Sequence, residues 1–421
     1  MAHMSQLLAR LKRDPVADLP IADQVNQLLR EQKVVWRERL LSPLVTLRLF
    51  LIQIAHGNCA IAALRQMAGI NFAVSSYCEA RVRLPIQLLE SLLRWVGEMG
   101  QAAAAAETRL RQRIVIADGS SHSVEDTPEL AAHFNLTPGT RPGVGYPMGK
   151  LMGLLDFASG MFLSLLALPL FDHDMRSAIM LHAMLAPGDI LLGDRALCSF
   201  AHLALLQQRG VFACMHLHQR RKENASCTTR WFKPASIPAW MDAAQFAELA
   251  SFLDVRIVLY SVAEKGFRTR QVCVATTLMN QTIWPDARIA RLYGYRWSIE
   301  TCFNHLKTTM NMNALRCKSL EGVMKELAMY LIVYNLIRLQ MLKAATAQNV
   351  QASRVSFIDA MRYLAARWIG LQAVDDLIVN PDRKGRCQLR VIRRRLKQYD
   401  LLVVPRREKE AQIASKSVEI A

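Results

Sequence analysis

The stretch from Arg113 to Ser120 constrains the fold more than any other part of the chain. Ile114-Val115-Ile116-Ala117 is a short β-branched run that ends in Asp118-Gly119-Ser120. That pattern predicts a buried strand with a carboxylate at its C-terminal end, where the chain leaves the core.

The segments after this strand set the topology. Beyond a glycine-rich, partly basic loop from Pro138 to Lys150, Leu151 to Phe157 and Met161 to Leu168 flank Ala158-Ser159-Gly160, the pattern of a hairpin. A helix is predicted from about Met175 to Leu185. Pro187-Gly188 breaks it, and Ile190-Leu191-Leu192-Gly193 is another short strand ending in a carboxylate, Asp194. Leu197 to Gln208 reads as helix and Val211 to Leu217 as strand. The order β-β-β-α-β-α-β is that of a ribonuclease-H-like core, in which the first and fourth strands lie side by side and parallel. The expectation is an α/β fold in which Asp118 and Asp194 meet at the carboxyl edge of one sheet.

The flanking segments carry other patterns. Residues 1–105 show apolar residues at three-to-four spacing, as in Leu84, Ile86, Leu88, Leu89, Leu92 and Leu93, and no strand signal, which predicts a helical region; a DNA-binding role is expected of it, apart from that pattern. Within it, Cys59 to Met67 and Phe72 to Arg83 fit two helices around a tight turn at Ala68-Gly69-Ile70-Asn71, either a helix-turn-helix or a plain helical hairpin. A mainly β insertion is predicted for 218–284 from alternating stretches such as Val255 to Ser261 and Gln271 to Thr277, splitting the core into 106–217 and 285–346. Residues 347–421 read as a helical and basic C-terminal region. From Arg383 to Lys409 eleven Lys and Arg stand against two acids, with Arg393-Arg394-Arg395 at the centre.

Charge narrows the partner. With 53 Lys and Arg against 35 Asp and Glu, the formal net charge is +18, a bias that suits a polyanion. Nucleic acid is the first expected partner, ahead of a solvated basic surface or a membrane-surface helix. A hydrophobic fraction of 52% excludes a mostly disordered chain, and 21% charged residues exclude one living mainly in lipid. No uninterrupted run reaches the roughly 18 apolar residues of a membrane span, and the N-terminus lacks the order of a secretion signal, so the expected location is cytoplasmic, with no membrane partner. Nine cysteines without a Cys-x-x-Cys pair argue against a disulfide framework or a zinc ribbon. Cys214, His216 and His218 share one face of a strand, where packing explains them better than zinc.

A helix entering at about Arg296 carries a third acid. At about 100 degrees per residue, Arg296, Glu300 and Lys307 fall at about 0, 40 and 20 degrees, on one line. Beside that line Ile299, Cys302, Phe303, Leu306 and Met310 form an apolar stripe that can pack on the sheet. Glu300 is thereby set to face Asp118 and Asp194; the simpler alternative is a surface ion pair between Arg296 and Glu300. Three converging carboxylates repel one another unless cations lie between them, and magnesium suits oxygen donors completed by phosphate. Two such ions stabilise the attacking and leaving oxygens of an in-line phosphoryl transfer. Arginine and lysine on the same line would hold neighbouring phosphates.

Tyr293-x2-Arg296-x3-Glu300-x6-Lys307 matches at all four positions the Y-R-E-K signature of bacterial insertion-sequence DDE transposases of the family numbered four. Ile116-Ala117-Asp118-Gly119-Ser120 resembles that family's first acidic motif, and Gly193-Asp194-Arg195-Ala196-Leu197-Cys198-Ser199 its second. The resemblance covers most of the chain, including Ser75 to Arg81 and Leu389 to Lys397. It implies a magnesium-dependent catalytic triad of Asp118, Asp194 and Glu300, with manganese able to substitute. It further implies a homodimer that binds double-stranded DNA at the terminal inverted repeats of a mobile element and catalyses cleavage and strand transfer. Tyr293, Arg296 and Lys307 are implied to contact DNA near the cleaved end, with a buried aromatic as the alternative for Tyr293, and Arg393, Arg394 and Arg395 are expected to add DNA contacts. Some relatives stack a flipped base on a tryptophan of the insertion; Trp231, Trp240 and Trp284 are the candidates here, none within a clear motif.

The other acids near these motifs have simpler readings. Asp156, Asp172 and Asp174 are expected to cap or to accept hydrogen bonds, and His173 to be structural. Ser120 and Ser121 lack a well-placed histidine base, since His122 is adjacent in sequence. Two rival functions remain: a DNA nuclease without strand transfer, and a catalytically inactive transposase-derived DNA-binding protein, against which the three intact acids argue.

Overall fold

Strand β1 (Ile114–Ser123) is the axis around which the chain is built. The computed structural model describes residues 21–36, 39–105, 112–137, 145, 147–221, 223–262, 271–313, 315–368, 404–405 and 407–412. Arg393, Arg394 and Arg395 lie outside the described residues.

The N-terminal region is helical: α1 (Ile21–Glu31), α2 (Pro43–Ala55), α3 (Ile61–Ala68), α4 (Val74–Arg83) and α5 (Ile86–Ala105). Gly69 ends α3 in the left-handed conformation at φ +64°, which a glycine adopts without a Cβ penalty, and the chain re-enters a helix at Val74. In α4 only Tyr77 and Ala80 are buried, while Val74, Ser75, Ser76, Cys78, Glu79, Val82 and Arg83 are exposed.

After β1 come α6 (Pro128–Phe134), β2 (Met148–Asp156), β3 (Met161–Pro169), α7 (Asp174–Met180), β4 (Ile190–Gly193), α8 (Phe200–Gln208) and β5 (Phe212–His216). β2 and β3 form the expected hairpin, and Asp156 Oδ2 secures its turn by accepting from Ser159 N at 2.9 Å and Ser159 Oγ at 2.6 Å. β1 pairs antiparallel with β2 and parallel with β4, which in turn runs parallel to β5.

The segment 218–284 contributes β6 (Cys227–Phe232), α9 (Ala243–Glu248), β7 (Phe252–Ser261) and β8 (Gln271–Thr276). These strands do not stand apart from the core. β8 pairs antiparallel with β5, Cys214 opposite Thr276, so one eight-stranded sheet runs in the order β3-β2-β1-β4-β5-β8-β7-β6.

Helices α10 (Asp286–Gly294), α11 (Ser298–Asn304), α12 (Leu320–Ala347) and α13 (Phe357–Trp368) complete the described chain. Alternation along β1 divides the core between the sheet's two faces. Ile114 and Ile116 join Leu151, Leu155, Phe162, α12 and the N-terminal helices on one face. Val115 and Ala117 join Met152, Leu154, Met175 and Leu203 on the other, beneath α7 and α8. Helix α12 is long and apolar enough to cross a membrane by length and composition, but most of it is buried inside the protein. Its Asn335 pairs with both backbone groups of Phe162, accepting at 3.0 Å and donating at 2.9 Å, which satisfies polar groups on edge strand β3.

Candidate active site

A notch in the sheet makes the site. β4 pairs with β1 only through Ile190–Leu192 against Ile114–Ile116, and β4 ends at Gly193, whereas β1 and β2 continue together as far as Ser123 and Met148. Asp118 therefore lies just beyond the last β1–β4 pair, and Asp194 just beyond the end of β4. Both line one cavity of about 500 Å³, together with Ser120, Ser121, Lys150, Asp174 and Lys307.

Local hydrogen bonds fix the two aspartates. Asp118 Oδ1 accepts from Gly119 N at 2.8 Å, and Asp194 Oδ1 accepts from Ala196 N at 2.9 Å, capping the short 3-10 turn Arg195–Leu197. Burial pushes the Asp118 carboxyl up to about 6, the nearby charges of Asp194 and Glu300 add to the rise, and Arg296 and the Gly119 amide oppose it.

Arg296 joins the third acid to the first. It is 7% exposed, and its Nη1 donates to Asp118 Oδ2 at 3.1 Å while Nη2 donates to Glu300 Oε1 at 3.2 Å. The surface ion pair that the sequence alone allows is instead a buried bridge between two elements. The segment is not one straight α-helix: Tyr295–Trp297 is a 3-10 turn, Ser298–Asn304 is α-helical and His305–Thr309 is a π turn. Lys307 nevertheless reaches β1, donating to Ser120 Oγ at 3.2 Å. Gly153, opposite Asp118 in the β1–β2 register, lets this helix approach, because a Cβ there would stand 2.8 Å from Phe303 Cζ.

The remaining predicted residues fall differently. Tyr293 is 3% exposed and lies under Arg296, whose Cζ is 5.9 Å from the ring centroid; the turn at Gly294–Tyr295 takes it off the line shared by Arg296, Glu300 and Lys307. Trp297 flanks the same guanidinium at 4.4 Å, a contact foreshadowed in sequence only by its adjacency to Arg296. Of the tryptophans in the insertion, Trp231 and Trp284 are buried at 3% and 7% exposure, and Trp240 is half-buried. His122 packs its ring edge against Phe134 and is held down to about 3 by burial and by Lys307, which makes it a weak base beside Ser120 and Ser121. His173 accepts from Met175 N at 3.2 Å, a structural cap.

Among the described residues, no three His, Cys, Asp or Glu side chains stand close enough to hold a metal ion as they are placed, Cys214, His216 and His218 included. The donor chemistry of the notch nonetheless suits a hard divalent cation. Asp118 and Asp194 offer carboxylate oxygens to one cavity, the hard anionic donors that such a cation takes.

Residues 109–336, more than half of the chain, match the transposase DDE domain family. A stretch of 165 residues is 28% identical to transposase InsG for insertion sequence element IS4 from Escherichia coli strain K12, covering 35% of this chain and 36% of that relative. The cryo-EM structure of a piggyBac transposase synaptic complex with hairpin DNA aligns with 61% of this chain and 52% of that chain, at a TM-score of 0.39 and 8% identity.

Proposed function

The chain belongs to the transposase DDE domain family, and from that premise we propose that it cuts DNA at the ends of a mobile element and joins the freed ends to target DNA. One observation carries this reading: Asp118, within β1 just past its last pair with β4, and Asp194, just past the end of β4, open into the same cavity as Lys307, with Glu300 bridged to Asp118 by Arg296. The strand order β3-β2-β1-β4-β5, with only β2 antiparallel to β1 and β3 antiparallel to β2, supports a ribonuclease-H-like core.

Asp118, Asp194 and Glu300 would hold magnesium in this reading, with manganese as a substitute. When bound, the metal supplies charge stabilisation to the attacking and leaving oxygens of an in-line displacement. Arg296 holds the Asp118 and Glu300 carboxylates in fixed orientation and offsets their repulsion. Lys307 meets a phosphate oxygen as a compact cation. In the first step water attacks a phosphorus at the element's end and the 3′ oxygen leaves; in the second, the resulting 3′-hydroxyl attacks a target phosphorus and the target's 3′ oxygen leaves. The partner is double-stranded DNA bound at terminal inverted repeats by a homodimer, and the site of action is the bacterial nucleoid. Tyr293, being buried, serves by supporting Arg296.

The test is cleavage and joining on a duplex carrying the element's own ends. Asp118→Ala, Asp194→Ala and Glu300→Ala should each abolish magnesium-dependent cleavage while the fold and end binding persist. Substantial cleavage by any one of them removes that residue from the triad, and cleavage without joining in the wild type assigns a nuclease instead.

A further inference from the structure

A second lysine lines the notch and has no part in the chemistry of the three acids. Lys150, in β2, is paired in register with Ser121 of β1. Its Nζ donates to Asp174 Oδ1 at 2.8 Å and to the Asp172 carbonyl at 2.6 Å. An ammonium has three donors, so a third remains for the cavity that Lys150, Asp118, Asp194 and Lys307 all line.

The two lysines approach from opposite faces of the sheet. Ser120, which Lys307 reaches, follows Ile114, Ile116 and Asp118 in alternation, on the α12 face. Lys150 follows Met152 and Leu154 in alternation, on the face covered by α7 and α8. Because β1 has no partner on its β4 side beyond Ile116, the two ammonium groups meet the same gap from its two sides. Both members of the Lys150–Asp174 pair are partly open to water, at 22% and 39% side-chain exposure, so a phosphate can exchange with the Asp174 carboxylate at little desolvation cost.

We propose that Lys150 is a phosphate-binding residue of the catalytic notch, tethered by Asp174 until DNA arrives, so that a strand crossing the notch is held by Lys307 on one side and Lys150 on the other. This rests on the transposase reading and adds a substrate contact to it. Asp174 then acts as a stand-in for phosphate: it keeps the ammonium oriented in the DNA-free protein and gives it up on binding.

The experiment uses the full chain and a labelled duplex of the terminal repeat that flanks its coding sequence. Binding is measured over a range of salt without added divalent metal, and cleavage with magnesium. Lys150→Met should weaken binding by roughly tenfold or more and lower the slope of log K against log salt by about 0.9, one phosphate contact, with thermal stability near that of the wild type. Lys150→Arg should retain most of the affinity and the full slope. The charge swap Lys150→Asp with Asp174→Lys restores an ion pair but puts a carboxylate where a phosphate must sit, and should bind no better than Lys150→Met. Wild-type slope and affinity in Lys150→Met, or recovery in the charge swap, would overturn the proposal and leave the pair a structural bridge. A wild-type protein that neither binds nor cleaves the duplex would instead overturn the transposase reading, and this contact with it.

Discussion

Arg296 donates to Asp118 across 178 residues of chain, at 3.1 Å, and so occupies the space beside the first acid of the notch. The same guanidinium holds Glu300 at 3.2 Å. A planar fork with parallel donors can serve two carboxylates at once, and its permanent charge offsets repulsion that would otherwise drive a proton onto one of them. In the DNA-free protein Arg296 is the counter-ion of the site.

Replacing it should therefore affect stability as well as chemistry. Arg296→Ala leaves two neighbouring carboxylates without their shared cation, at a cost of about 1–3 kcal/mol, and moves the Asp118 carboxyl further above its present value of about 6. Arg296→Lys should recover part of the stability and less of the cleavage, since an ammonium cannot hold both acids in one plane. Thermal unfolding and end cleavage of both variants check this; a wild-type melting temperature for Arg296→Ala would mean that the bridge adds nothing to the fold.

Asp118 itself should cost the DNA-free protein stability. Its folded value of about 6 lies above the unfolded value near 3.8, so the proton is bound more tightly in the folded state. Stability from this group is complete below about pH 4 and is lost as the pH rises through about 6. Asp118→Asn, which mimics the protonated form, should raise stability at pH 7.5 by up to about 3 kcal/mol, with the gain vanishing near pH 4. Urea unfolding of both proteins across that range, in chelator, measures it. A gain that persists unchanged at pH 4 would mean that the asparagine acts by something other than charge.

Gly153 tests how closely the Glu300 helix must approach the sheet. Gly153→Ala forces a Cβ to within 2.8 Å of Phe303 Cζ, so either the ring or the helix must move. Overpacking of this kind costs about 1–3 kcal/mol. The helix carries Glu300, so cleavage should fall more than end binding does. Equal losses in the two assays would point to general unfolding rather than to a displaced helix.

Legibility in the sequence depends on how local the cause is. The strand that reaches Asp118, the hairpin around Ala158–Gly160 and the short strand before Asp194 are all stated by adjacent residues, and the structure has strands there, although β1 does not end at Asp118 but runs on, paired with β2, to Ser123. Helical arithmetic puts Arg296, Glu300 and Lys307 on one line; the 3-10 and π turns bend the segment, yet Arg296 still reaches Asp118, Lys307 still reaches Ser120, and Glu300 is held beside Asp118 through Arg296. The insertion strands are legible as strands, but their membership in the main sheet is not, because the pairing of Cys214 with Thr276 links residues far apart in the chain. Lys150 is silent in sequence for the same reason. Its neighbours there are a glycine-rich loop, and only the face of the sheet and the early end of β4 bring it to the acids.

His182 and His202 form a buried pair behind the notch, and acid should expose it. His202 Nδ1 must donate to the Leu197 carbonyl, at 2.7 Å, because a carbonyl only accepts. His202 Nε2 is then the acceptor for His182 Nε2–H, at 3.0 Å, and both rings are neutral. Leu197 closes the turn that Asp194 caps and lines the cavity, so this pair braces the second acid from below. Burial pushes His202 down to about 4; burial, with smaller contributions from His202 and Arg209, pushes His182 down to about 3. Both folded values lie below the unfolded 6.5, so the stability they contribute is complete above that pH and is lost as the pH falls toward 4. For His202 the loss by pH 4 is on the order of 3 kcal/mol. The urea midpoint of the wild type should accordingly fall between pH 7 and pH 5, and His182→Leu with His202→Met should be less stable at pH 7, for want of the bond to Leu197, yet lose less between the two. An equally steep fall in the double variant would assign the acid sensitivity to other groups, and would leave the histidine pair as packing with no bearing on how Asp194 is held.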